Sequence, residues 1–113
     1  MPETIFAKII RREVPAKIVH EDDLCLAFHD ISPKAPVHIL VIPKEPIASL
    51  ADLQAEHQAL AGHLILTATQ IAKQLELDAG YRLVCNCGEE GGQAVEHLHI
   101  HLLAGRPLSW PPG

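Results

Sequence analysis

A long amphipathic helix is the clearest element that the apolar pattern predicts. Between positions 52 and 75, apolar residues recur every three or four positions, which places them on one face of a helix. These residues are Leu53, Leu60, Leu64, Ile71 and Leu75, with Ala61, Ala68 and Ala72 between them. We therefore expect a helix from about Asp52 to Leu75, closed by Asp78 and Gly80.

A shorter helix is predicted near the amino terminus. The Thr4 hydroxyl is placed to cap its first turn, and Pro15 forces the chain out of the helical conformation. Between these two residues the apolar spacing fits one face of a short helix, formed by Ile5, Phe6, Ile9 and Ile10.

Five other runs have the composition of β-strands, at residues 16–19, 24–28, 37–42, 81–86 and 97–103. The first two flank an acidic turn from Glu21 to Asp23, which favours an antiparallel hairpin. Five antiparallel strands with one long and one short helix make an α+β fold. We expect residues 1–113 to form a single domain, because a chain of this length has no room for a second core.

Charge and cysteine content limit the kinds of partner. A net charge of −5 argues against nucleic-acid binding, which needs a basic face, whereas local N–H groups and histidines can still bind a small phosphorylated ligand. The three cysteines, the absence of a leader-like start and the lack of a long apolar run argue against secretion, a disulfide framework and membrane insertion. We expect a reduced, soluble, cytoplasmic protein.

Candidate chemistry is concentrated in the last strand, where His97, His99 and His101 alternate with Leu98 and Ile100. A strand turns successive side chains to opposite faces, so the three imidazoles should share one face and the apolar residues the other. With eight histidines in 113 residues, such a triplet has about a four per cent probability of arising by chance. We therefore interpret it as a functional site.

The residues before this strand leave two kinds of chemistry open. The loop contains Gly88, Gly91 and Gly92, which allow backbone N–H groups to approach an anion, although glycine-rich hairpin loops are also common without a ligand. Neutral imidazoles permit either covalent phosphoryl chemistry or zinc binding. Cys85 and Cys87 are the nearest thiols, but their CxC spacing differs from the usual CxxC of zinc sites.

The other five histidines give weaker signals. His38 lies in an apolar strand, on the face of Leu40 and Ile42, where a lone histidine is more often a hydrogen-bonded core residue than a catalyst. The other four are interpreted as partly exposed surface residues: His20, His29, His57 and His63.

Five motifs are distributed along the chain from residue 28 to residue 113: FHDISPKAP at 28–36, HILVIPK at 38–44, GGQAVEH at 91–97, HxHxHxx at 97–103 and WPPG at 110–113. Together they resemble the histidine triad (HIT) superfamily, and specifically its Hint branch of purine nucleoside phosphoramidases. The Fhit-like and uridylyltransferase branches are less similar, because here the triad continues into Leu102 to Gly105 and the tail carries Trp110.

The resemblance implies hydrolysis of the P–N bond of a purine nucleoside 5′-phosphoramidate, of the adenosine 5′-monophosphoramidase type, with release of an amine and AMP or GMP. His99 would attack phosphorus to give a nucleotidyl-histidine, which water then hydrolyses. His38 and His97 would form a proton relay that orients His99, and His101 and Asn86 would contact the phosphate. No metal or other cofactor is implied.

The resemblance also implies a nucleotide site. Asp30 would hold the ribose hydroxyls, and the amides of Gly92, Gln93 and Ala94 would stabilise the equatorial phosphate oxygens. The purine cleft would consist of Phe6, Ile9, Phe28, His29 and Ile31, although simple helix-to-core packing also accounts for Phe6 and Ile9. Ala94 departs from the family pattern, which has Ser or Thr there to assist the leaving group.

In relatives, two chains join their sheets edge to edge, so the resemblance implies a homodimer with the WPPG tail near the partner's site, which would also cover an open strand edge. Two other functions stay open from the residues alone. One is a nucleotide-binding adaptor with vestigial catalysis, and the other is a zinc-binding regulatory module.

Overall fold

The computed structural model describes residues 3–113. Its five strands are β1 (Ile18–Glu21), β2 (Cys25–His29), β3 (Val37–Pro43), β4 (Tyr81–Val84) and β5 (Ile100–Ala104). All four strand pairs are antiparallel, and the sheet has the order β1-β2-β3-β5-β4. The short helix α1 (Ile5–Ile10) and the long helix α2 (Gln58–Gln74) complete the fold. The predicted α+β fold with a five-stranded antiparallel sheet is confirmed.

Each face of the sheet is covered by one helix. On one face, Leu64, Ala68 and Ile71 of α2 pack against alternate residues of the central strands, Ile39, Val41, Ile100 and Leu102 among them. On the other face, Phe6 and Ile9 of α1 pack against Leu26, Phe28, Leu40 and Ile42. The two-residue period of the strands thus divides their side chains between two hydrophobic clusters.

Helix α1 follows the sequence-based expectation closely. The Thr4 Oγ1 accepts a hydrogen bond from the Ala7 N–H at 3.1 Å, which satisfies one of the unpaired donors of the first turn. The next element differs slightly, because the Asp22 Oδ1 accepts hydrogen bonds from the Leu24 and Cys25 N–H groups and closes a tight turn. Strands β1 and β2 therefore extend to this turn, and both lie one or two residues later than predicted.

The long helix begins at Gln58, six residues after the predicted start. The residues before it form two short 3-10 turns, Leu50–Asp52 and Ala55–His57. Between these turns Leu53 is extended, and the His57 Nδ1 accepts a hydrogen bond from the Gln54 N–H at 2.9 Å. The apolar spacing of residues 53–57 is thus accommodated by 3-10 turns rather than by the helix.

Strand β5 begins at Ile100, so the prediction of a strand over 97–103 is wrong for its first three residues. The register pairs Val41 with Ile100, and two residues further on it would pair Pro43 with Leu98. Proline has no N–H to donate to the ladder. The Leu98 N–H instead donates to the Ile47 carbonyl at 2.7 Å. Strand β4 likewise ends at Val84, two residues before the predicted end.

Among residues 3–113, no helix has both the length and the apolar character that crossing a bilayer requires.

Candidate active site

Two adjacent central strands bring His38 and His101 together. In the register of β3 and β5, His38 lies opposite Leu103 and His101 lies opposite Leu40, so the two histidines are diagonal neighbours on one face of the sheet. Their rings are hydrogen-bonded, with 2.8 Å between the His38 Nε2 and the His101 Nδ1. The face is the one that α1 covers.

The hydrogen-bond network assigns the ring protons of this pair. The Lys34 N–H donates to the His38 Nδ1 at 3.0 Å, so that nitrogen has no proton and the His38 Nε2 carries one. The His38 Nε2–H then donates to the His101 Nδ1. In the neutral state, His101 consequently carries its proton on Nε2, which is a free donor for a ligand.

The ring protons of His99 are assigned by a backbone contact. Its Nδ1 lies 2.7 Å from the His97 carbonyl oxygen, which can only accept a hydrogen bond, so Nδ1 carries the proton. The Nε2 of neutral His99 therefore retains its lone pair, as a nucleophile requires. The ring is only 5% exposed and is held in one orientation.

The hydrogen bonds of His97 differ from those that the sequence led us to expect. Its Nε2 donates to the Pro43 carbonyl at 2.8 Å, and its own carbonyl accepts from His99. His38 is paired with His101 and not with His97, so the expected relay of His38 and His97 is not what the structure shows. The reason is the start of β5 at Ile100, which takes His97 out of the ladder that carries His38 and His101.

Aromatic packing holds the three imidazoles together. The Phe6 ring packs edge to face on His99 at a centroid distance of 5.0 Å and contacts His97 at 6.1 Å. His99 and His101 pack on each other at 4.9 Å. Leu98 lies in the hydrophobic cluster on the opposite face. The predicted separation of imidazoles from apolar side chains is therefore present, although the ladder covers only part of the segment.

Burial favours the neutral forms of His38, His97 and His101. It lowers the pKa of His38 and of His97 below the ordinary value of 6.5. For His101, burial and then the neighbouring charges of His99 and His38 lower the pKa to about 4. At neutral pH these three imidazoles are thus uncharged, a state in which they act as bases and hydrogen-bond donors.

The glycine-rich loop closes on itself through its own amides. The Gly92 N–H donates to the Glu89 carbonyl and the Gln93 N–H to the Gly88 carbonyl, both at 3.0 Å. These two amides are therefore engaged and not available to a phosphate, contrary to the expectation from the sequence. The Ala94 N–H has no hydrogen-bond partner among residues 3–113 and lies on an exposed residue next to the histidine segment.

Side chains of Asn86 and Gln93 stabilise this loop. The Asn86 Nδ2 donates to the Gly91 carbonyl at 2.7 Å, and the Gln93 Oε1 accepts from the Gly88 N–H at 3.0 Å. The Gln93 Nε2 also donates to the Ala48 carbonyl at 2.8 Å, which attaches the loop to the chain before α2. Contacts of Asn86 and Gln93 with a phosphate remain predictions.

The residues predicted to bind the nucleoside fall into two groups. Phe6, Ile9 and Phe28 are buried in the hydrophobic cluster under α1, as simple core packing requires. His29 is exposed, and Ile31 is fully exposed at 100%. Asp30 lies between the groups, with its Oδ2 3.5 Å from the His38 Nε2. The structure thus places Asp30 at the histidine site and leaves Ile31 free for a ligand.

The same site contains a possible metal-binding group. Ligand atoms of Asp30, His38 and His101 lie within 4.8 Å of one another. Within residues 3–113, neither Cys85 nor Cys87 belongs to such a group, so the thiols considered from the sequence do not contribute to it. The Cys85 Sγ instead lies 3.2 Å from the His99 carbonyl.

Several groups that position the histidines were not identified from the sequence. They are backbone atoms, namely the Lys34 N–H and the carbonyls of Pro43 and His97. Every residue carries such atoms, so no residue pattern distinguishes them.

Known proteins resemble this chain in sequence and in fold. The HIT domain family model matches residues 11–108. A HIT-like protein of Synechococcus elongatus, named as uncharacterized, is 68% identical over 111 residues, which cover 98% of this chain and 97% of the relative. The crystal structure of a HIT family hydrolase from Legionella pneumophila matches with a TM-score of 0.96 and 45% identity, covering 98% of this chain and 100% of that one. A histidine triad nucleotide-binding protein from Candida albicans matches with a TM-score of 0.82 and 30% identity, covering 96% and 83% of the two chains.

Proposed function

Because the chain belongs to the HIT domain family, we propose that it is a hydrolase of the Hint branch, acting on the P–N bond of purine nucleoside 5′-phosphoramidates. The observation that carries this proposal is the lone pair on the His99 Nε2, which follows from the Nδ1–H bond to the His97 carbonyl. The names of the Legionella hydrolase and the Candida nucleotide-binding protein support a hydrolase and a nucleotide ligand, respectively.

In the first half of the reaction, the His99 Nε2 lone pair forms a bond to phosphorus and the P–N bond to the amine breaks. The departing nitrogen needs a proton. The anionic phosphate opposes the effect of burial on the pKa of His101, so the His38–His101 pair holds one additional proton when substrate is bound. This pair gives that proton to the amine.

In the second half, water attacks phosphorus and the bond to the His99 Nε2 breaks, because a neutral imidazole is a good leaving group. The proton of the water returns to the His38–His101 pair. AMP or GMP is released, and the sum of the two steps consumes one water and one phosphoramidate. The free Ala94 N–H is the backbone donor that supports charge on the phosphoryl oxygens.

The direct test is turnover of an adenosine 5′-phosphoramidate by the purified protein, with and without a chelator. We expect equal amounts of AMP and amine and no effect of the chelator, because N–H groups and imidazoles rather than a cation oppose the phosphate charge. Activity that the chelator removes and zinc restores would contradict this mechanism.

Stoichiometric zinc in a chain that shows no turnover would instead favour a zinc-binding regulatory module, for which the close approach of Asp30, His38 and His101 is the specific observation. Nucleotide binding without turnover would favour an adaptor. Turnover, zinc content and nucleotide binding of the purified chain together separate the three functions.

Ala94→Ser is expected to raise kcat/KM about fivefold to thirtyfold for alkylamine leaving groups, since a hydrogen bond made mainly in the transition state contributes about 1 to 2 kcal/mol. Anilide or ester substrates, whose leaving groups depart readily, should respond least. The measurement is kcat/KM of the variant and of the natural chain with both substrate classes. An equal response of the two classes would mean that a hydroxyl here does not assist the leaving group.

We also propose that two copies of the chain associate. Strand β4 forms one edge of the sheet, and its exposed Tyr81 and unpaired backbone groups are suited to continue the sheet into a second copy. Light scattering at micromolar concentrations is expected to give twice the chain mass of 12.3 kDa. A mass of one chain throughout that range would contradict the homodimer.

A further inference from the structure

A second group of potential metal ligands lies on the other side of the sheet from His99. It consists of His20 on β1, Asp22 in the following turn, Cys25 at the start of β2 and His63 on α2. His20 is paired with Ala27, and both Ala27 and Cys25 belong to the hydrophobic cluster that α2 covers. We call these four residues the hairpin cluster.

One carboxylate oxygen is the centre of the hairpin cluster. The Asp22 Oδ2 lies 2.8 Å from the His20 Nε2 and 2.8 Å from the His63 Nε2. The same oxygen lies 3.6 Å from the Cys25 Sγ. The other oxygen, Oδ1, accepts hydrogen bonds from the Leu24 and Cys25 N–H groups. The turn therefore fixes the carboxylate so that Oδ2 faces two imidazoles and a thiol.

These separations are close to those of a tetrahedral metal site. Zinc bonds of about 2.0 to 2.3 Å place neighbouring ligand atoms about 3.4 to 3.7 Å apart. The ligand atoms of His20, Asp22 and Cys25 already lie within 4.8 Å of one another. His63 is not part of this group of three and reaches it through the Asp22 Oδ2, so its ring must turn toward the ion to become the fourth ligand. The two imidazoles need to withdraw from the Asp22 Oδ2 by about 0.6 Å to admit the ion, a movement that side-chain rotation supplies.

The chemistry of the four ligands selects the class of metal. Nitrogen, sulfur and a single carboxylate suit Zn²⁺ and similar transition-metal ions, whereas Mg²⁺ and Ca²⁺ prefer oxygen ligands. Four protein ligands are typical of a structural zinc site, in contrast to the three of a catalytic one. The set therefore favours a bound ion that stabilises the fold rather than one that reacts.

Three side chains of the hairpin cluster are partly exposed to solvent, and the fourth, Cys25, lies in the core. The side chains of His20, Asp22 and His63 are 29%, 30% and 34% exposed, so an ion can enter from solvent. Cys25 is fully buried, and the Thr67 Oγ1 lies 3.7 Å from its Sγ. Burial raises the pKa of the Cys25 thiol to about 11, so the metal must displace its proton, which passes to water.

We propose that His20, Asp22, Cys25 and His63 form a zinc-class metal site, independent of the histidine triad, that links the β1–β2 hairpin to α2. The ion replaces the shared contacts at the Asp22 Oδ2 with four coordinate bonds. The triad lies on the opposite face, so the site does not take part in the reaction at His99.

Zn²⁺ binding to the purified full chain tests this proposal. We expect one ion per chain at the hairpin cluster, bound at least about tenfold more weakly by His20→Gln and by His63→Gln. His57→Gln is the matched control, because His57 also pairs with a carboxylate, Glu45, at 2.9 Å but lies outside the cluster. Zn²⁺ binding that His20→Gln and His63→Gln leave unchanged would overturn the proposal.

Thermal unfolding and Co²⁺ spectra distinguish this site from the triad. At free Zn²⁺ about 100-fold above the dissociation constant, Tm should rise on the order of 10 °C in the natural chain and far less in His20→Gln. With Co²⁺, a thiolate charge-transfer band should appear in the natural chain and in His101→Ala but not in Cys25→Ser. A Tm that Zn²⁺ does not change, or a metal signal lost in His101→Ala and kept in His20→Gln, would contradict the proposal.

Discussion

His99→Ala is expected to lower kcat/KM by at least about 10⁴-fold, since removing a nucleophile eliminates the covalent step. Nucleotide binding should stay measurable, because the other proposed contacts, at Asp30, His101 and the Ala94 amide, are retained. The expectation depends on the His97 carbonyl, which holds the proton of His99 on Nδ1 and leaves Nε2 free. In the natural chain, rapid quenching should trap a nucleotidyl group on the same imidazole.

Mass spectrometry of the quenched protein locates the adduct, and AMP binding by His99→Ala verifies that the variant is folded. His57→Gln is a suitable control, because His57 precedes α2, lies 2.9 Å from Glu45 and is not among the residues placed at the site. An adduct on another residue, or full turnover in His99→Ala, would contradict the assignment of the nucleophile.

The sequence predicts the architecture well because apolar residues recur every three or four positions in the helices and every second position in the strands. The alternation of Leu98, Ile100 and Leu102 with the histidines corresponds to the division of side chains between the two hydrophobic clusters. The ends of elements were less predictable, because they depend on long-range partners. Strand β5 begins at Ile100 because the continued register would pair Leu98 with Pro43, which has no backbone N–H to donate. Pro43 is more than fifty residues away from Leu98 in the sequence.

In the site, the sequence likewise identifies the histidines but not the hydrogen bonds that they form. The triad was identified from its spacing, but its proton assignments depend on the Lys34 N–H and the His97 carbonyl, which no residue pattern marks. The pairing of His38 with His101 required the strand register. His20 and His63 were expected to be partly exposed, and they are, but their common contact with Asp22 arises only when α2 packs on the hairpin.

The glycine-rich loop requires a residue without a side chain at position 91, and the structure shows why. A Cβ atom at position 91 would lie 2.1 Å from the Cys87 carbonyl oxygen and 3.0 Å from the Cys87 carbonyl carbon and nitrogen. These are backbone atoms, so they cannot move aside as a flexible side chain would. The Gly91 carbonyl also accepts the hydrogen bond from Asn86. Any side chain at position 91 must therefore displace the loop backbone.

Gly91→Ala is accordingly expected to lower kcat/KM by about 100-fold, because a displacement of about 1 Å in a positioning element has an effect of this size. The Ala94 amide, three residues further along the loop, should be displaced, while the sheet and its two clusters stay intact. Gly62→Ala is the matched control, since a Cβ there meets nothing within 4 Å on the exposed side of α2. The control should keep full activity and gain about 0.5 to 1 kcal/mol in unfolding free energy. Kinetics and thermal unfolding of both variants provide the comparison, and full activity in Gly91→Ala would show that the loop does not position the phosphate.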